Sequence, residues 1–283
     1  MAEISAKLVK ELRDKTNAGM ADCKKALEQS GGDIEKAIEY LRKQGAAAAA
    51  KRADREAIEG AVVTASTPDN KVAVMVEVNC ETDFVARNES FLNFANAVAQ
   101  LALQTKCATL EALAQAKLGH EFNNLSVSEA IDMMTGRLGE KIAISRIALI
   151  ESTDGVVVSY VHPGSKLASL VHLTGINGNI GTIGKDIAMQ VAAAAPLALT
   201  RADIPKEKIE KETEILREKA QNEGKPAQVI ERIVNGRLEK YYQEVVLLDQ
   251  PFIKDGGKSV ADLLKDAGSV EVKGFARFQL GEK

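Results

Sequence analysis

The stretch Asn79-Cys80-Glu81-Thr82-Asp83-Phe84-Val85-Ala86-Arg87 holds side chains suited to recognition rather than to bond-making. Asn79, Thr82 and Asp83 are residue types that hydrogen-bond their own backbone and stop a strand. Phe84 follows directly after that polar stop. An aromatic ring at the tip of a strand-to-helix turn is costly to leave in water. It folds back as a core anchor for the next helix, or it enters a pocket on a partner. Aromatic residues are only 4% of the 283 and there is no Trp, so a Phe at such a turn calls for a reason.

Other chemistry fits the chain less well. Gly184-Lys185 invites a phosphate-loop reading, but position 179 is Asn where that loop needs Gly, and Asp186 stands where it needs Ser or Thr. His120, His162 and His172 are far apart in sequence, with no His-Glu-x-x-His pattern and no Gly-x-Ser-x-Gly elbow nearby. The residues therefore call for no covalent catalysis, no metal and no cofactor.

The elements that position the Phe84 segment can be read from pattern. Val72–Val78 has strand character and pairs with Ala61–Ser66 across a Pro68-Asp69-Asn70 turn. A helix follows from about Glu89 to Gln104. Residues 145–199 repeat that order, with strands at Ile147–Glu151, Val156–His162 and Ala168–Thr174 and a helix through Ile187–Ala195. Aligning Val72–Val78 with Ala168–Thr174 gives two related halves. Between them, Ser126 and Glu129 form a capping-box signature. The Gly-rich Gly175–Gly184 stretch reads as a flexible connector.

Upstream, residues 5–44 read as three short helices, capped by Ser5 and Asp33 and broken at Gly31-Gly32. Met20 there is either a partly buried helix-start residue or a surface contact. The Ala- and Lys/Arg-rich residues 45–59 read as a helical or flexible linker. Downstream, two helical arms meet at Gly224-Lys225-Pro226, followed by a helix at Ser259–Ala267 and a last strand at Val270–Leu280.

Composition narrows the partners. With 37 basic and 40 acidic residues the net charge is −3, which argues against nucleic acid as the main partner. Residues 1–55 hold 12 Lys and Arg against 9 Asp and Glu, and the remainder 25 against 31. Cys23, Cys80 and Cys107 are odd in number and lack Cys-x-x-Cys spacing, which points to a reducing, cytoplasmic setting. The N-terminal residues do not read as a signal segment, and the longest apolar stretch, Ile187 to Leu199, is too short to cross a bilayer.

Thr82-Asp83-Phe84-Val85 followed by a helix with Phe91 and Phe94 resembles the core motif of the bacterial elongation factor Ts family. Two further segments agree in order, Leu8–Leu27 and Gly32–Ile38, and the likeness continues to Phe275-Ala276-Arg277-Phe278. The resemblance implies a guanine-nucleotide exchange factor that binds elongation factor Tu, both GDP-bound and nucleotide-free. It implies an α+β fold with a ubiquitin-associated-like three-helix module, two related core halves with small antiparallel sheets, and an inserted antiparallel helical hairpin. The expected division is a module over 1–45, a linker over 46–59, core halves over 60–140 and 141–202, the hairpin over 203–245, and a segment over 246–283 that returns a strand to the core.

The resemblance assigns Thr82, Asp83, Phe84 and Val85 to the displacement of Mg²⁺ from the partner. It makes Leu12, Met20 and His162 partner contacts, His162 lying in Tyr160-Val161-His162-Pro163-Gly164; a hydrogen-bonded turn histidine is the other reading of that residue. It implies no direct nucleic-acid or membrane contact, and leaves a homodimer or 2:2 complex open. Ala21 stands where many relatives have a second Met, and some relatives continue past the last strand with another helix. The rival function is a ubiquitin-associated-type adaptor without exchange activity, which would have no use for the Thr82–Val85 turn.

Overall fold

The computed structural model describes residues 4–16, 18–175, 180–268 and 270–282, and for Ile180 and Gly181 the backbone alone. Helices combine with small antiparallel sheets in an α+β arrangement. Three helices open the chain: α1 (Ala6–Thr16), α2 (Met20–Gln29) and α3 (Ile34–Arg52). The Ser5 hydroxyl accepts from the Leu8 N–H at 3.2 Å and the Asp33 carboxylate from the Lys36 N–H at 3.1 Å, so both serve as caps. Gly31 and Gly32 take positive φ between α2 and α3. Val9, Leu12, Cys23, Ala26, Leu27 and Ala37 form the small core of this group.

The expected boundary at residue 45 is not a break, because α3 continues through the alanine run to Arg52. Alanine favours the helix, and tertiary contact holds it: α3 crosses α7 (Val127–Leu138) at Gly45 and Gly136. A Cβ on Gly136 would lie 2.9 Å from the Gly45 Cα, so only glycine allows this approach. An Arg42–Glu129 ion pair lies on the same interface.

Two three-stranded antiparallel sheets make the centre. The first has the order β1 (Glu59–Ser66), β2 (Val72–Cys80), β3 (Ala143–Glu151), with Val63 opposite Val76 and Val76 opposite Ile147. The second places β5 (Leu167–Thr174) between β4 (Val156–Val161) and β8 (Glu271–Gln279). The strand read from sequence with the second half, around Ile147–Glu151, is therefore part of the first sheet. Pairing with β2 fixes the placement, with Ile147 and Leu149 on the first sheet's helical side and Ala148 and Ile150 facing the other sheet.

Alternation along every strand produces four layers. Val74, Val76 and Val78 of β2 pack against Phe91, Phe94 and Val98 of α5 (Glu89–Thr105), with Ala130 and Met134 of α7. Val171 and Leu173 of β5 pack against Ile187, Ala188 and Val191 of α8 (Ile180–Ala194). Between the sheets, Val62, Ala73 and Met75 meet Val157, Ala168 and Leu170. Glu77 is buried in β2; it accepts from Arg146 Nε at 2.8 Å, Asn79 Nδ2 at 3.0 Å and the Gly281 N–H at 3.3 Å. The Arg146 guanidinium lies over the Phe278 ring, 4.5 Å from its centroid, which ties the first sheet to the end of β8.

The Gly-rich stretch is not a connector throughout, since α8 already begins at Ile180 and includes Gly181 and Gly184. Packing of Ile187, Ala188 and Val191 on β5 overrides the low helix propensity of those glycines. Residues 176–179 of that reading lie outside the described residues.

Beyond the second sheet, α9 (Lys206–Asn222) and α10 (Ala227–Val245) pack together and are bridged by Arg217–Glu231 at 2.9 Å and Arg237–Glu223 at 2.6 Å. At their base Arg201 binds both Glu239 and Asp249 and stacks on Tyr242. A short pair, β6 (Pro251–Phe252) and β7 (Asp255–Ser259), was not evident in the sequence; it precedes α11 (Val260–Asp266), which Ser259 and Asp262 cap reciprocally. Among the described residues the remaining α-helices are α4 (Asp83–Ala86) and α6 (Leu110–Gln115). No helix among the described residues is long and apolar enough to cross a membrane.

Candidate functional site

The polar stop inferred around Asn79 comes slightly later. Strand β2 runs to Cys80, and the Thr82–Val85 segment is a one-turn helix rather than an open turn. Thr82 is its N-cap, with Oγ1 accepting from the Val85 N–H at 3.4 Å. A single helical turn divides its side chains by direction: Ala86 is buried and Val85 packs on the first-sheet core. Phe84 points away and is 84% exposed. Asp83, at the first helical position, pairs with Arg87 four residues on, at 2.9 Å. The open question about Phe84 is settled in favour of the outward direction, since the core behind it is already filled by Phe91 and Phe94.

The base of this tip is tied down by two carboxylates that exchange contacts. The Glu140 carboxylate accepts the Thr82 N–H at 2.9 Å and the Thr82 hydroxyl at 2.6 Å. Glu81 accepts the Lys141 N–H at 2.7 Å, Arg52 at 2.7 Å and Arg55 at 3.1 Å. Lys141 Nζ donates to the carbonyls of Ala53 and Arg55. The end of α3, the start of β3 and the Phe84 tip are thereby bound into one unit. Burial pushes the Glu81 carboxyl up, but the Lys141 N–H and the two guanidiniums outweigh it and hold the group below its ordinary value. Burial, with the Glu140 carboxylate adding to it, pushes the Cys80 thiol up to about 12. Cys80 therefore stays protonated at neutral pH and serves as packing, its sulfur donating to the Thr82 carbonyl at 3.1 Å.

His162 is exposed in the β4–β5 turn, where Tyr160 Oη lies 2.8 Å from its Nδ1. That turn sits against the head of β1, through the Val62 N–H donating to the Ser165 carbonyl at 2.6 Å and a Lys166–Glu59 pair at 2.7 Å. Because α4 also packs on β1, the fold brings Phe84 and His162 to one strand from distant parts of the sequence. Ile58, 63% exposed, immediately precedes that strand.

The other two expected contacts divide. Met20 is 46% exposed at the first position of α2 and remains available to a partner. Leu12 does not: it is 0% exposed in the three-helix core, because its face of α1 meets α2 and α3, and it is withdrawn as a contact residue. Sequence reasoning missed Glu140, Arg52, Lys141 and Ile58. The only local signals were the charged pair Glu140-Lys141 directly after Gly139 and a lone Ile between Glu56 and Glu59. Gly184-Lys185 lies inside α8, where backbone N–H groups are engaged in the helix rather than arranged as a phosphate cradle.

Three properties meet at the tip: an exposed ring, a rigid base and no reactive group. That combination suits insertion into another protein. Comparison with known proteins gives the family. The family model described as Elongation factor TS matches residues 81–282. The chain is similar to an elongation factor Ts of Chlorobium limicola at 56% identity over 288 residues, covering 100% of both chains. It is similar to that of Prosthecochloris aestuarii at 54% over 287 residues, 99% of this chain and 100% of the relative. Against that of Chloroherpeton thalassium it shows 52% identity over 289 residues, with both chains fully covered.

Proposed function

The chain belongs to the elongation factor Ts family, and we propose that it acts in translation elongation by binding elongation factor Tu·GDP and promoting GDP release. Exchange of this kind makes and breaks no covalent bond. It rests on reciprocal coupling: a factor that weakens nucleotide binding is itself bound more weakly when nucleotide is present. The nucleotide-free partner is then the tightest complex, and incoming GTP releases the factor.

The exposed ring of Phe84 carries this reading. Docked on the partner, Phe84 acts as a wedge beside the nucleotide site, Asp83 supplies a polar contact, and Thr82 and Val85 form the turn that presents them. Mg²⁺ tolerates little departure from octahedral geometry, so a small shift of the elements that hold it loosens the ion. The phosphates then lose their counter-charge and GDP leaves. Met20 and His162 supply flanking contacts on the same partner.

The rest of the chain organises this contact. The N-terminal residues act as a ubiquitin-associated-like module, a reading supported by three helices with a core of their own, the third running past residue 45 to Arg52. The chain beyond α3 leads into two related halves, supported by the matching order of strands around β2 and β5, with β3 completing the first sheet and β8 the second. Residues 203–245 form a projecting antiparallel hairpin, supported by the ion pairs between α9 and α10, and 246–283 return β8 to the second sheet. Adding the purified chain to elongation factor Tu carrying fluorescent GDP tests the function: release accelerates with the wild-type chain and far less with Phe84→Ala, whereas no acceleration by the wild-type chain removes the exchange role.

A further inference from the structure

We propose that Glu140 is a positioning residue for Phe84, an inference that rests on the reading of Phe84 as the wedge. Helix α7 ends at Leu138, and Gly139 takes φ +72 to turn the chain toward β3. Glu140 comes next, and its two carboxylate oxygens engage the Thr82 N–H and the Thr82 hydroxyl at 2.9 and 2.6 Å. The β2–β3 ladder has its last pair at Asn79 and Ala143, so this carboxylate continues the link between the strands where the backbone ladder has stopped.

Helix α4 has four residues. A single turn is too short to hold itself in water, and its direction is set by what fixes its first residues. Thr82 is that fixing point, since it caps Val85 and is itself held by Glu140. Glu140 does not form the tip; it determines which way the tip faces. Without it, Thr82 keeps its cap but loses both of its links to the β3 side. Within the docked complex the ring then spends less time in the direction that enters the partner's site, and the release rate at saturation falls by that fraction.

Stopped-flow release of fluorescent GDP from elongation factor Tu, measured over a range of factor concentrations, separates maximal rate from half-saturation. Glu140→Ala is expected to lower the maximal rate about tenfold, in line with the loss of charge-assisted hydrogen bonds. The half-saturating concentration moves less than about threefold, because the exposed contact residues are intact. Glu140→Gln keeps one acceptor oxygen and recovers part of the rate. In a Phe84→Ala background the same Glu140→Ala change adds no further loss, since it acts through the ring.

Wild-type rates for Glu140→Ala, a loss confined to half-saturation, or an equal loss with and without Phe84 would each overturn the assignment. Should Glu140→Ala melt before the assay temperature, Glu140→Asp, which keeps the charge but shortens the reach, carries the same expectations. The wedge reading itself is judged separately: it fails if Phe84→Ala alone leaves the rate unchanged, whatever Glu140 does.

Discussion

In the first sheet the middle strand β2 runs from Val72 to Cys80 and passes within two residues into a helical turn that holds Phe84 in solvent. In the second sheet the middle strand β5 ends at Thr174, and the described helix that covers it, α8, places Ile187, Ala188 and Val191 on the sheet. The two sheets share strand order and outer-helix packing, but expose different groups. The first carries a one-turn helix, α4, between its middle strand and its covering helix, tied by Glu81 and Glu140. The second offers its exposed group elsewhere, at His162 in the turn before β5. A shared architecture thus presents Phe84 beyond the end of one middle strand and His162 ahead of the start of the other.

The sheets also differ in their polar content, which gives the largest expected effect. Glu77 of β2 is buried and paired with Arg146, whose side chain is largely buried with it. Removing one partner of such a pair leaves a desolvated charge, so Glu77→Ala should lower unfolding free energy by about 3–5 kcal/mol, measured by urea denaturation. If it costs no more than a surface substitution, the first sheet is not held by its ion pair. The second sheet meets its helix through apolar contact and two hydrogen bonds to α8 carbonyls, from Ser169 Oγ to Ala188 at 2.7 Å and from Arg277 Nε to Ala192 at 3.0 Å. There Ile187→Ala should cost about 2–5 kcal/mol by the same measurement, from lost burial plus the cavity left behind. Neither substitution touches the Phe84 tip, so folded fractions of both should retain most of their exchange rate.

The strands of the two three-stranded sheets, the paired outer helices and the capping box at Ser126 were legible because each rests on local periodicity or on a local hydrogen bond, and such signals survive in one dimension. The position of Phe84 behind the polar stop was legible as well, but not whether its ring turns inward or outward. What could not be read was partnership over distance. That β3 belongs beside β2 follows from which faces Ile147 and Ile150 meet, and the alternation is the same for either sheet. Leu12 shows the same limit: its position on an amphipathic helix marks an apolar face, and only the packed helices tell that this face is the inner one. Glu140 lies 58 residues from Thr82, and nothing in its immediate neighbours announces the contact.

Phe84→Ala is the smallest of these changes for the fold and the most informative for function. With the ring 84% exposed, its removal should alter unfolding free energy by no more than about 0.5 kcal/mol. Lost burial in the partner, worth roughly 1.5–3 kcal/mol, should slow catalysed GDP release about ten- to a hundredfold. Stopped-flow release of fluorescent GDP from elongation factor Tu, run with wild-type chain and with folded Phe84→Ala, measures this directly. A slow mutant of unchanged stability is the expected result; a folded mutant that releases GDP at the wild-type rate would contradict the role of the ring.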